Sequence, residues 1–212
     1  SKASGYKGVV TVYNRDFEYV LTIRLSSRYI SDAVVTPDSR GVYLISPGQA
    51  DGAFENTLLY YTISSREEPT RTISLGSNVV LSIRSAGRCW IIGDESLMIL
   101  DSSGVITASY DYKDQYLKMG SLQGDNYAAL YLSPSPSGSP GTLVTVGSDG
   151  RAYGELALDG QTLAMAAQGK TIAVLTTNAI YTTDRNLTSY TTSPNQRGIR
   201  NLAVYADGSV AL

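Results

Sequence analysis

The chain of 212 residues has no histidine, one cysteine, one tryptophan and two phenylalanines. Without histidine, imidazole acid–base catalysis, the Ser-His-Asp triad in its usual form and every His-dependent metal site are excluded. Cys89 has no partner for an internal disulfide, and the surrounding Arg88, Trp90, Ile91 and Ile92 make it a buried strand thiol with no activating group beside it. No apolar run reaches the ~18 residues of a membrane span, and no stretch reads as a signal peptide. Helical periodicity is missing too, since no segment keeps apolar residues at i, i+3, i+4 and i+7 through two turns. The net charge is −2 and the 17 basic residues are scattered, so the electrostatic footprint of a nucleic-acid binder is lacking.

What is present is a repeat. SDAVVTPDSRGVYLI (31–45) is a hydrophobic run, a tight polar turn and a second hydrophobic run, and the same pattern returns at 81–92, 118–132, 163–175 and 202–212. Gly, Asp or Asn at each turn accepts the positive φ of a hairpin. A second kind of hairpin precedes the first copy, as GVVTVYN with FEYVLTIRLS, and another follows every copy but the last. The turn glycines Gly87, Gly124, Gly169 and Gly208 lie 37, 45 and 39 residues apart, and Ser39 holds the equivalent place 48 residues before Gly87. Four strands, here called a to d, per period of about 40 residues are the mark of a propeller blade.

The chain opens with c and d alone and closes with a and b alone. The reading is therefore an all-β fold, a single domain over 1–212, built as a five-bladed β-propeller. Its last blade is shared two strands and two strands between the ends, which removes exposed sheet edges. The alternative is part of a larger propeller. Along the a strands, Ala33 with Val35, Leu81 with Ile83, Leu163 with Met165, and Leu202 with Val204 are expected to share one face.

In such a fold the d–a and b–c connections share a rim. Here they include SSRYISD (26–32), SPGQADGAFEN (46–56), DYKDQY (111–116), SPSPSGSPG (133–141) and SPNQRGIR (193–200), all read as long loops. Arg28, Tyr29, Asp32, Tyr112, Asp114, Tyr116, Arg197 and Arg200 are the candidate ligand-binding residues, because Tyr and Arg offer contact area and directed donors at modest entropic cost. For any one of them the plainer reading is a polar group solvating a rim. Glycoside cleavage needs a carboxylate pair. Only Asp32 begins an a strand, while Val79, Leu117, Thr162 and Ile199 stand at the other matching positions. No catalytic residue, cofactor or metal is therefore expected; GSDGRAYGE and DYKDQ lack the regular ligand spacing of a calcium loop.

AVVTPDSRGVYLI resembles the Ser/Thr-Pro-Asp-Gly turn of WD40-like and TolB-like blades, with Ser39 where Gly is usual. VYNRDFEYVLTI followed by SSRYISDAVVTPDSR (about 12–40) is similar to a domain-of-unknown-function family of bacterial propeller-like proteins. That resemblance implies a propeller outside the cell, tethered to the cytoplasmic membrane by an anchor outside this sequence, and the abrupt polar start SKASGYKG suits it. It brings no activity or catalytic residue. The expected function is a non-catalytic scaffold or binding propeller whose long-loop rim holds a protein, peptide or cell-wall glycan. No nucleic acid partner and no direct membrane insertion are expected. The alternative is a carbohydrate-active enzyme or a lectin-like sugar binder.

Overall fold

A computed structural model describes residues 5–124, 126–137, 140–188, 190–195 and 198–212. Among them are strands and turns only, and no helix long and apolar enough to cross a membrane. The chain divides into two compact units, residues 1–93 with 100–106, and residues 94–99 with 107–212.

Strand β1 (Gly8–Tyr13) pairs with β2 (Tyr19–Leu25) as a two-stranded sheet. Next come four sheets of four strands, each in sequence order. The first holds β3 (Asp32–Val35), β4 (Gly41–Ala50), β5 (Ala53–Thr62) and β6 (Arg71–Ser74). The second holds β7 (Val80–Ala86), β8 (Arg88–Gly93), β9 (Ser96–Leu100) and β10 (Ile106–Asp111). The third holds β11 (Tyr116–Ser121), β12 (Tyr127–Ser133), β13 (Gly141–Gly147) and β14 (Ala152–Leu158). The fourth holds β15 (Thr162–Gln168), β16 (Thr171–Thr176), β17 (Ala179–Thr183) and β18 (Tyr190–Pro194). A two-stranded sheet of β19 (Ala203–Val204) and β20 (Val210–Ala211) ends the chain.

The two middle strands of each four-stranded sheet are almost continuously apolar and buried, as YAALYLS of β12 shows, because both of their faces are covered. Their outer neighbours alternate, as in β14. Neighbouring sheets meet through their first strands, β3 beside β7 in the first unit, and β11 beside β15 beside β19 in the second. Of the counterparts of middle strands in the terminal hairpins, β1 alternates half-buried and exposed residues and β20 is half-buried. Each of those hairpins pairs only within itself among the described strands, so the expected shared blade is not among the strand pairings.

Three details differ from the sequence reading. SPGQADGAFEN is not a loop: β4 and β5 run through it to a two-residue turn, with Ala50 opposite Ala53. Asp51 and Gly52 have φ of 52° and 79°, the paired positive values of a type I′ turn, which an Asp-Gly pair suits. The expected positive-φ glycine at 124 is not one; Asn126 takes that conformation (φ 58°), and a side chain at 124 would strike the Tyr127 ring. Finally, the register of β7, β11 and β15 slips at the same place in each, leaving Leu81, Lys118 and Leu163 as bulged residues. A bulge breaks the alternation, so Leu81 is 57% exposed while Ile83 is buried, and the two do not share a face.

Candidate functional site

In each unit a pocket forms where a d–a connection meets a b–c hairpin. In the first unit, Ser27, Arg28 and Tyr29 between β2 and β3 face Pro47, Gly48, Gln49, Phe54 and Glu55 of the extended β4–β5 ribbon across about 560 Å³. Pro47 is tolerated there because β3 pairs with β4 only as far as Ile45, leaving an edge at residue 47. Tyr29 and Phe54 are 60% and 45% exposed, large apolar surfaces for a loop rim. Lys7 lies 5.4 Å over the Tyr29 ring. The Glu55 carboxylate accepts a hydrogen bond from Ser74 Oγ, while Arg28 forms no ion pair among the described residues. Arg28 also walls a neighbouring cleft with Arg24, Glu67 and Glu68. The lining offers a forked cation together with two exposed rings, suited to a carboxylate flanked by apolar groups.

In the second unit, Asp94, Glu95 and Ser96 of the β8–β9 turn face Asp111, Asp114, Tyr116 and Lys118 across about 700 Å³. DYKDQY is again no long loop. Lys113 and Asp114 have φ of 52° and 63°, and Gln115 N–H donates to the Tyr112 carbonyl, which closes a two-residue turn. Neither residue is glycine, so this turn stores backbone strain beside the pocket. Asp111 holds the turn by accepting from Lys113 N–H at 2.7 Å. The bulge in β11 re-aims Lys118, whose Nζ donates to the Pro136 carbonyl at 2.8 Å and sits 5.1 Å over the Tyr116 ring. Four carboxylates thus face one cation that is already occupied. Among the described residues no group of three His, Cys, Asp or Glu is placed to hold a metal ion.

The eight candidate residues separate. Arg28 and Tyr29 line the first pocket, Asp114 and Tyr116 the second. Asp32 is committed to the backbone: Oδ1 accepts from Ala33 N–H, and Oδ2 from Ile83 N–H on the next sheet. Tyr112 is buried, 1% exposed, and supports its turn from within instead of presenting itself on a rim. Burial, reinforced by the Asp94 charge, pushes its phenol well above the ordinary value. Arg200 is exposed and Arg197 lies outside the described residues. Sequence reasoning missed Gln49, Phe54, Asp94 and Glu95. The Asp51-Gly52 turn could have found the first two, by turning the presumed loop into a ribbon. Cys89 is buried and its thiol is pushed up to about 12 by burial, in keeping with an inert structural role.

No protein-family model and no curated protein matches the sequence. Solved structures do match. The C-terminal WD40 domain of Sif2 superposes with a TM-score of 0.53 at 12% identity, over 96% of this chain and 71% of that one. The fold matches that of WD40 propellers. The WD40 domain of Neurospora crassa Pan2 gives 0.58 at 10% identity over 95% of this chain, and that of Toxoplasma gondii coronin 0.54 at 10% over 97%. The chain spans 65% of the Pan2 structure and 57% of the coronin structure. A bacterial protein, apo AztD of Citrobacter koseri, is similar at 0.50 and 14% identity over 94% of this chain. The WD40-type likeness rests on repeated four-stranded antiparallel sheets, the architecture that places both rim pockets.

Proposed function

We propose that the chain is a non-catalytic scaffold that holds a protein partner in the first-unit pocket, through an extended segment carrying an acidic side chain beside apolar ones. A WD40-type fold alone assigns no function, so the pocket has to carry the reading. The supporting observation is Arg28, in no ion pair among the described residues, lining one pocket with the exposed rings of Tyr29 and Phe54. Fixed aromatic area plus a planar guanidinium is the combination that dominates protein interfaces. The second reading, a glycan stacked on the same two rings, uses the apolar surface but leaves Arg28 without a charge to meet.

The test is selection of peptides from a displayed library on the immobilised chain, run beside a glycan array. Enriched peptides should carry Asp or Glu next to an apolar residue. Arg28→Ala and the double change Tyr29→Ala with Phe54→Ala should each weaken them about tenfold while shifting stability by no more than about 0.5 kcal/mol. Unchanged affinity in both variants overturns this site, and retained glycans without peptides favour the second reading.

The proposal includes the finer architecture, five blades with β20 joining β1 in a shared blade. What supports it is the complementary type of the two orphan hairpins, each a two-stranded sheet with β1 or β20 pairing on one side only among the described strands. Hydrogen exchange checks it: closure protects those β1 amides that do not bond to β2, and fast exchange at all of them refutes it. Display outside the cell, on a membrane tether, completes the proposal. It rests on the resemblance of segment 12–40 and is tested by protease accessibility in intact cells.

A further inference from the structure

We infer that a second binding site, for a phosphomonoester group, lies in the second unit at the seam between its third and fourth sheets. A small pocket of about 260 Å³ there is lined by Tyr127, Lys170, Asp184, Arg185 and Asn186. Lys170 comes from the β15–β16 turn and Arg185 from the β17–β18 turn, the rim opposite in strand order to the one described above. Two exposed cations from different turns therefore face one cavity, and neither is in an ion pair among the described residues. Asp184 also lines the pocket, but its Oδ1 accepts from Asn186 N–H at 2.9 Å and so serves its own turn. The lining carries one net positive charge, with the Asn186 amide as a further donor.

The two turns that carry the cations are held by the neighbouring sheet. Gly169 N–H donates to the Gln123 carbonyl at 3.2 Å, which pins the turn bearing Lys170. Thr145 Oγ donates to the Arg185 carbonyl at 2.5 Å, and Leu187, at φ 56°, inserts its side chain into the same core cluster as Tyr127. Gly154 makes this approach possible, since a Cβ there would lie 2.1 Å from the Asn186 carbonyl oxygen. The Arg185 guanidinium lies over the Tyr153 ring at 5.2 Å, a cation–π contact that restrains it. A guanidinium fork stacked on a ring, facing an ammonium carried by a pinned turn, is a pairing that takes a tetrahedral dianion. The size suits a phosphate with a short stub, not a nucleotide.

The test is an amide-shift titration of the isotope-labelled chain with inorganic phosphate, against sodium chloride at matched ionic strength. Shifts are expected around residues 169–171 and 184–187. Lys170→Gln and Arg185→Gln should each weaken phosphate about tenfold, and Arg185→Lys, which keeps charge but loses the fork, should weaken it by less. Both side chains are exposed, so the variants should retain the parent spectrum elsewhere. Chloride reproducing the shifts, or Arg185→Gln binding phosphate unchanged, overturns the site. Free O-phosphoserine and a phosphoserine peptide then separate the sources: equal affinity means a small phosphorylated molecule, and a clear gain for the peptide means a modified protein. Peptides captured by Arg28 do not bear on this outcome, so the two sites stand or fall separately.

Discussion

The two rim pockets are built from the same parts, a d–a connection against a b–c hairpin, yet their linings are chemically opposed. In the first unit the hairpin is lengthened into a ribbon whose turn, Asp51-Gly52, fits its backbone, and the lining is aromatic with Arg28 as its uncommitted charge. In the second unit the hairpin is short, the neighbouring turn is strained at Lys113 and Asp114, and four carboxylates dominate. The difference teaches that sheet order places the pockets while a few turn residues set their chemistry.

The sharpest way to break the comparison is to remove what lies beneath each pocket. Tyr112 is fully buried under the strained turn, and Tyr112→Ala should cost about 3–5 kcal/mol in a urea titration. Tyr29→Ala, at an exposed position, should cost no more than about 0.5 kcal/mol. Equal losses would mean that both rings are structural. A smaller effect is expected from charge. Arg28→Glu makes the first pocket acidic like the second, and should turn its preference from acidic to basic library peptides, a change of about 1.4 kcal/mol for each tenfold shift. An unaltered peptide profile would dissolve the contrast. Smaller again is the backbone term. Exchanging Lys113-Asp114 for Asn-Gly should raise stability by about 1 kcal/mol, and Gly52→Ala should lower it by about the same amount. The opposite signs come from one cause, positive φ at both turns.

Much of this was legible in the chain. The run of hairpins, their two kinds and the split first and last units follow from alternating apolar segments and Gly, Asp or Asn turns, and every expected strand is present. That Arg28 with Tyr29, and Asp114 with Tyr116, lie where a d–a connection meets a b–c hairpin was legible from strand order alone. The bulges at Leu81, Lys118 and Leu163 were not legible. They share a position but not one residue type, leucine twice and lysine once, and a single inserted residue leaves no mark on composition. The acids Asp94 and Glu95 escaped because carboxylates were sought at the starts of a strands, whereas these sit on a turn. Asp32, the one acid at such a start, is spent on joining neighbouring sheets.

The smallest effect concerns how far the acidic lining is felt below the surface. Tyr112 has a phenol raised above its ordinary value of about 10, first by burial and then by the charge of Asp94. A raised folded value means that the protein favours the neutral phenol. That contribution is whole below pH about 10, the unfolded value, and declines as pH climbs toward the higher folded value. Tyr43, also raised by burial, adds to the same alkaline loss. Tyr112→Phe should therefore flatten the fall of stability above that pH, and at neutral pH should cost nothing, since the buried hydroxyl makes no hydrogen bond. Asp94→Asn should flatten it by a smaller amount, because only the second cause is removed. Glu55→Gln, the matching change in the first pocket, should leave the alkaline slope as it was. If Asp94→Asn and Glu55→Gln prove indistinguishable in urea titrations above pH about 10, the carboxylates of the second pocket act on solvent alone, and its turn is shaped by backbone bonds and not by charge.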